Sequence, residues 1–186
     1  MRFAKWIFII VLILKDSPVW GADATFFAGY QNPGKLTREV VIGSISQAFA
    51  ADAGGGLLGI RLSSSRPIGF ETGFAYSPHF LTSDQKSLQI HTNLLAQFPG
   101  KISPYGTVGI GLLSTWGGEI NSAGSLAESI FNFGTRFAFN YGGGIKLKNM
   151  AGPFGLRFDM RGYSAPGVYG STLNIFEMSA GALISW

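Results

Sequence analysis

Cysteine is absent from this chain of 186 residues, which excludes a disulfide framework, thiolate metal sites and a cysteine nucleophile. Charge is scarce as well. Asp, Glu, Lys and Arg together make up 13% of the residues, about half the share in an ordinary soluble domain. The formal net charge is +4 and no Lys/Arg cluster accompanies it, so nucleic-acid binding finds no support. The two histidines, His79 and His91, have no thiols beside them and the carboxylates are spread along the chain, so no metal-ligand spacing emerges. What is present points elsewhere: hydrophobic residues at 46%, 16 Phe and 27 Gly. That profile is incompatible with disorder, which needs low hydrophobicity and high charge. The length suits one domain with its own core.

The start of the chain, "MRFAKWIFIIVLIL", places Arg2 and Lys5 before an apolar run from Trp6 to Leu14, followed by "KDSPVWGADA". A basic start, a short apolar middle and small residues before a cut are the layout of a secretory leader. The run is about half the ~20 residues of a spanning helix. Ala22-Asp23-Ala24 fits the small-x-small rule, which sets residues 1–24 as the leader and 25–186 as the mature domain; a cut after Gly21 or Ala22 also satisfies it.

After residue 24 there is no apolar run of 18 residues, so no spanning helix is expected. Alternating segments take its place, at about 25–31, 57–64, 68–77, 87–98, 104–114, 135–148, 154–163 and 173–186, separated by Gly, Pro, Ser and Asn. The connections alternate in length. Those at 65–67, 99–103 and 149–153 are short, and those at 32–56, 78–86, 115–134 and 164–172 are longer. An up-and-down sheet with short turns at one end and long loops at the other has this rhythm, as outer-membrane barrels do. Within the long loops, 36–49 reads as a hairpin arm and 125–133 as a short helix.

The segment "FGLRFDMRGY" (154–163) decides the faces. Arg157, Asp159 and Arg161 alternate with Leu156, Phe158 and Met160, which puts charge on one side of a strand and apolar bulk on the other. The same division recurs. Phe137, Phe139, Tyr141 and Ile145 oppose Arg136, Asn140, Gly142, Gly144 and Lys146; Phe70, Phe74 and Tyr76 oppose Gly69, Glu71 and Gly73. The polar face holds too few charges for a surface in water and is studded with glycine, which suits a crowded concave interior. Tyr30, Tyr76, Phe98, Trp116, Tyr163 and Trp186 fall near strand ends, where aromatic girdles meet the membrane interfaces. The expected fold class is therefore all-β, a transmembrane eight-stranded antiparallel up-and-down barrel with the bulky residues outward.

The leader-like start, "SPYGTVGIGL" (103–112), "FAFNYGGGIKLKNMAGPFGLRFDMRGY" (137–163) and "IFEMSAGALISW" (175–186) together make the chain resemble the small bacterial outer-membrane β-barrels of the OmpA/OmpX-like kind over its whole mature length. The resemblance implies a bacterial outer membrane as location, membrane lipid as surroundings and the barrel-assembly machinery as a partner during insertion. The ending resembles the recognition signal for that machinery, carried by Phe176, Met178, Ile184 and Trp186, with Trp where Phe is usual and Ile184 where an aromatic is preferred.

The inward charges are Arg61, Glu71, Arg136, Lys146, Arg157, Asp159, Arg161 and Glu177. Charges in a narrow lumen are costly unless paired. A turn centred at 150–151 sets Asp159 beside Gly142 and Arg161 beside Asn140; a connection centred at 168 sets Glu177 across from Asp159, with Arg157 and Arg161 diagonal to both. Two acids bridged by two arginines make a plug that ties the walls together, and the function expected is structural or surface-interactive. A narrow channel for small solutes and a lipid-modifying enzyme are the alternatives. For the enzyme, His79, Ser83 and Asp84 are the candidates, although three polar residues within one loop read first as solvated loop, and no catalytic role is expected. No cofactor is indicated: "YGGGIK" and "DAGGGLLG" are glycine-rich but lack GK[ST] and open no helix. The long loops are expected to face outward, with no ligand named by their sequence.

Overall fold

The computed structural model describes residues 21–34, 36–42, 45–51, 54–80, 85–117, 134–168 and 171–186. Ten strands follow one another among the described residues: β1 (Ala22–Pro33), β2 (Leu36–Ile42), β3 (Ile45–Ala51), β4 (Gly55–Ser64), β5 (Ile68–Ser77), β6 (Lys86–Gln97), β7 (Ile102–Trp116), β8 (Thr135–Ala151), β9 (Phe154–Val168) and β10 (Ser171–Ser185). Eight of them close a barrel in the order β1-β10-β9-β8-β7-β6-β5-β4, with β4 returning to β1, and β2 and β3 pair as a separate hairpin. Every pairing is antiparallel. The eight expected segments are the eight barrel strands. The expected 68–77 coincides with β5, and 36–49 forms the hairpin anticipated there. The helix expected at 125–133 and residues 1–20 of the leader lie outside the described residues.

Closure removes every edge of the eight-stranded sheet, as backbone placed in hydrocarbon requires. The seam joins the two ends of the domain: Ala22 and Trp186 exchange backbone hydrogen bonds at 2.9 and 3.0 Å. Alternation then sorts the side chains. Phe26, Leu58, Ile60, Phe74, Ile90, Leu94, Val108, Ile110, Phe139, Phe158, Met160 and Met178 all stand exposed on the outer wall. Between the rims that wall carries no charged side chain among the described residues. Thr72 and Thr92, polar exceptions on adjacent strands, bring their hydroxyls within 3.4 Å of each other. An apolar belt around a whole barrel far exceeds the few hundred Å² that soluble monomers expose.

Register departs from the expectation by two residues at both hairpins of β9. Asp159 pairs with Gly144 and Arg161 with Gly142; Glu177 pairs with Arg161 and Ser179 with Asp159. The first shift arises because the turn falls at Gly152-Pro153, beyond the expected centre, and a slip of the ladder between Leu147 and Ala151 takes back only half of the resulting displacement. Asn149 and Gly152 sit at φ 54° and 63° there, a conformation that Asn and Gly tolerate best. A slip of two leaves every side chain on its own face.

Candidate functional site

The site is the filling of the lumen, and it is layered. At the short-turn end Lys146 of β8 spends its three donors on the Asp23 carboxylate at 2.9 Å, the Ser63 hydroxyl at 3.0 Å and the Gln97 amide oxygen at 2.9 Å. Lys148 reaches the same Asp23 oxygen at 2.9 Å, and the Ser65 hydroxyl donates to the other at 2.7 Å. Asp23 is fully buried in β1. The strand thus starts inside the leader expected at 1–24, and a cut after Ala24 removes this carboxylate from beneath two lysines.

The middle layer contains three guanidinium groups and three carboxylates. Arg61 of β4 donates to Asp159 at 3.1 Å and to Glu177. Arg157 and Arg161 of β9 both reach across the barrel to Glu71 of β5, at 2.5 and 2.6 Å, and both also contact Asp159, at 2.9 and 3.1 Å. Two tyrosines complete the set. The Tyr105 hydroxyl donates to Asp159 and receives Arg157 at 2.8 Å, while Tyr163 donates to Glu177 at 3.0 Å. Asn93 and Ser179 supply further bonds to Glu71 and Glu177. The Arg61 guanidinium stacks 3.6 Å above the Phe27 ring, and that of Arg157 lies 4.6 Å from the Tyr105 centroid. All six ionic side chains are buried. Charge balances within the layer, and charge-assisted forked bonds span it.

Inward glycines make room for this bulk. A Cβ at Gly73 would enter the His91 ring, one at Gly144 would meet the Phe158 carbonyl and the Tyr105 hydroxyl, and one at Gly142 would stand 2.9 Å from the Arg161 side chain. Toward the loop end apolar clusters enter the filling. Phe80, Leu113, Ala138, Tyr163, Ala165, Val168, Leu173 and Ile175 form one buried cluster, and Phe27, Leu57 and Ala75 another. Between these layers Gln89 donates to Gln31 at 2.7 Å, and His91 lies against Tyr163 with ring centroids 5.9 Å apart. The cavity beside His91 measures about 10 Å³, room for about one water.

Six of the expected lumen residues, Arg61, Glu71, Arg157, Asp159, Arg161 and Glu177, meet in one network. Arg136 does not. It keeps the inward parity of β8 but stands at the loop end of the strand, exposed, above the closed section. Glu177 is bound by Arg61 and Tyr163 rather than by Arg157 and Arg161, and Lys146 forms its own layer with Asp23. Tyr163, expected in the outer girdle, is buried in the lumen; Tyr30, Tyr76, Phe98, Trp116 and Trp186 are exposed on the outer wall. At the loop end the interior is mixed: the apolar cluster around Phe80 and Leu113 sits among buried Ser77, Ser87, Gln89 and Thr115. Tyr105 went unassigned, although it alternates in phase with Thr107 and Gly109 and so belongs inside. Of the enzyme candidates, His79 accepts a hydrogen bond from Ser77 through its carbonyl, while Ser83 and Asp84 lie outside the described residues. Among the described residues no three His, Asp or Glu come together as a metal site. Phe176, Met178 and Trp186 stand exposed on the lipid-side face of β10, with Ile184 half-buried on the same face.

No protein-family model matches the sequence, and no curated protein is similar to it. Solved structures are. Neisserial surface protein A superposes with a TM-score of 0.64 at 14% identity, over 89% of this chain and 97% of that one. The fold is that of a small outer-membrane barrel. The Yersinia pestis attachment protein Ail, crystallised with the heparin analogue sucrose octasulfate, aligns at 15% identity and a TM-score of 0.48, over 88% of this chain and 99% of its own. The outer membrane enzyme PagL aligns at 17% and 0.49, over 87% and 98%. Neither of these two likenesses bears on what the present barrel binds or does.

Proposed function

We propose that this barrel is an integral protein of the bacterial outer membrane whose lumen is sealed and whose role is structural or surface-interactive. The observation that carries the reading is the inversion of its two faces. An apolar wall surrounds an interior in which arginines and carboxylates from opposite strands neutralise one another. In this reading that network, with the buried cluster on its loop side, closes the lumen to solutes. The proposal includes no catalytic activity, and in it the exposed face of β10 with Trp186 at its end serves recognition by the insertion machinery. It also places the leader cut after Gly21, one of the positions the sequence allows, because Asp23 is then retained. The intact mass of the exported protein is expected to correspond to a start at Ala22; a start at Thr25 overturns that placement.

Purified protein in planar bilayers is expected to be electrically silent and to show heat-modifiable migration on gels. Arg161→Ala strips Glu71 of one of its two guanidinium partners and should lower unfolding stability by about 3 kcal/mol, in the range for breaking a buried pair. An unchanged melting temperature together with new conductance would instead make the network a gate.

A further inference from the structure

One group of buried polar atoms, on the loop side of the ionic layer, stands outside the network. Both ring nitrogens of His91, the side-chain oxygens of Gln89, Asn93 and Thr107, both ends of the Asn140 amide and Nη1 of Arg161 have no hydrogen-bond partner among the described residues. All six side chains are buried. Register makes these residues neighbours. Across β6, β7 and β8, Asn93 pairs with Gly109 and Gly109 with Asn140; across β7, β8 and β9, Thr107 pairs with Gly142 and Gly142 with Arg161. The Asn93 amide oxygen leans over Gly109, where a Cβ would collide with it. One inward position along β8 from Asn140, Ala138 helps to line the cavity of about 10 Å³ beside Gln89 and His91. A buried polar group left unpaired is costly, and water is the usual partner where no protein group reaches it.

The chemistry of the group selects its ligand. Arg161 Nη1 and the Asn140 amide nitrogen donate, the Gln89 and Asn93 oxygens accept, and the Thr107 hydroxyl does either. A cation would meet those donors and the three guanidinium groups of the adjoining layer. An anion would meet the acceptors and Glu71, which Asn93 already contacts. Charge in the layer is balanced, so the fitting ligand is neutral, small, and both donor and acceptor. We infer that ordered water is bound here, one molecule in the cavity at Gln89 and His91 and others joining Asn93, Thr107 and Asn140 to Arg161. The arginine that grips Glu71 is thereby tied to β6, β7 and β8 as well.

The inference rests on the sealed-lumen reading, because water held in this way must exchange slowly with the bulk, and the test separates the two. The mature chain is folded in detergent micelles, and long-held water is measured by 17O relaxation dispersion of the solvent, to which exchanging hydroxyl protons contribute nothing. A dispersion is expected for the wild type and a smaller one for Asn140→Leu. An undiminished dispersion in that variant puts the water elsewhere and overturns the inference. No dispersion from a barrel that is silent in planar bilayers means a dry, closed lumen and overturns the water alone; no dispersion from a conducting barrel overturns the sealed reading as well. Thr107→Val keeps the shape of the side chain and removes one bonding group, so it should lower the folding equilibrium constant about fivefold, read by urea unfolding. A neutral or stabilising outcome would mean that the hydroxyl had no partner to lose. Replacing chloride by gluconate should leave that loss unchanged; a loss that depends on chloride would assign the site to an anion and overturn the inference.

Discussion

Asp159→Asn is expected to be the most damaging single change in the lumen, lowering unfolding stability by about 3–5 kcal/mol. Its carboxylate is the hub on which Arg61, Arg157, Arg161 and Tyr105 converge. Asparagine keeps the shape and removes the charge, leaving three buried guanidinium groups to share Glu71 and Glu177. Desolvating a cation without its partner costs several kcal/mol, and the apolar wall offers the excess charge no water. The substitution also replaces one acceptor oxygen by an amide NH2 that faces donors, so a hydrogen bond is lost as well as a charge. The check is urea unfolding in lipid vesicles, together with a double-mutant cycle against Arg61→Met. Removing Arg61 restores charge parity, so the double variant should be more stable than the sum of the two single losses, by a coupling of at least about 1 kcal/mol. Additive losses would mean that the two groups do not depend on each other.

Facing was legible in the sequence; height along the barrel was not. Alternation in "FGLRFDMRGY" assigns Arg157, Asp159 and Arg161 to the interior, and the structure has them there. The same alternation puts Tyr163 in phase with them, but its position near the end of the segment drew it toward the membrane interface. Burial against His91 and a bond to Glu177 decide it instead. Arg136 illustrates the converse. Its parity is inward, but parity cannot tell that β8 rises past the closed section before reaching it. Height depends on how far each strand is staggered against its neighbours as the barrel closes, and between β8 and β9 the stagger is set by the turn at Gly152-Pro153 together with the slip between Leu147 and Ala151. Nothing in the sequence marks that slip apart from an Asn and a Gly in left-handed backbone. The expected partners of Glu177 were displaced separately, in the β9–β10 ladder, which has a second irregularity between Ser171 and Leu173. Asp23 was missed for a different reason. The small-x-small rule assigned it to the leader, so it entered no expected network, whereas in the structure it lies in β1 against Lys146 and Lys148.

Phe158→Arg tests the other face of the same strand. Phe158 is 46% exposed on the outer wall, paired with Ile145 and Ala180 and flanked by Leu156 and Met160. An arginine within the lipid-facing belt is expected to cost about 2–4 kcal/mol at the membrane midplane and about 0–1 near the interface. Phe154→Arg, at the turn end of β9, should therefore be close to neutral while Phe158→Arg is severely destabilised, both read by urea midpoints in the same vesicles. The comparison is sharp because Phe158 and Asp159 are neighbours with inverted requirements. A charge gained at the first and a charge lost at the second are both destabilising, and for opposite reasons. A soluble barrel would tolerate Phe158→Arg as well as it tolerates Phe154→Arg, since water solvates a guanidinium at either depth. Equal midpoints for the two variants would thus place the wall in water and remove the basis for an outer-membrane location, whereas a graded loss with depth follows only if hydrocarbon surrounds β9.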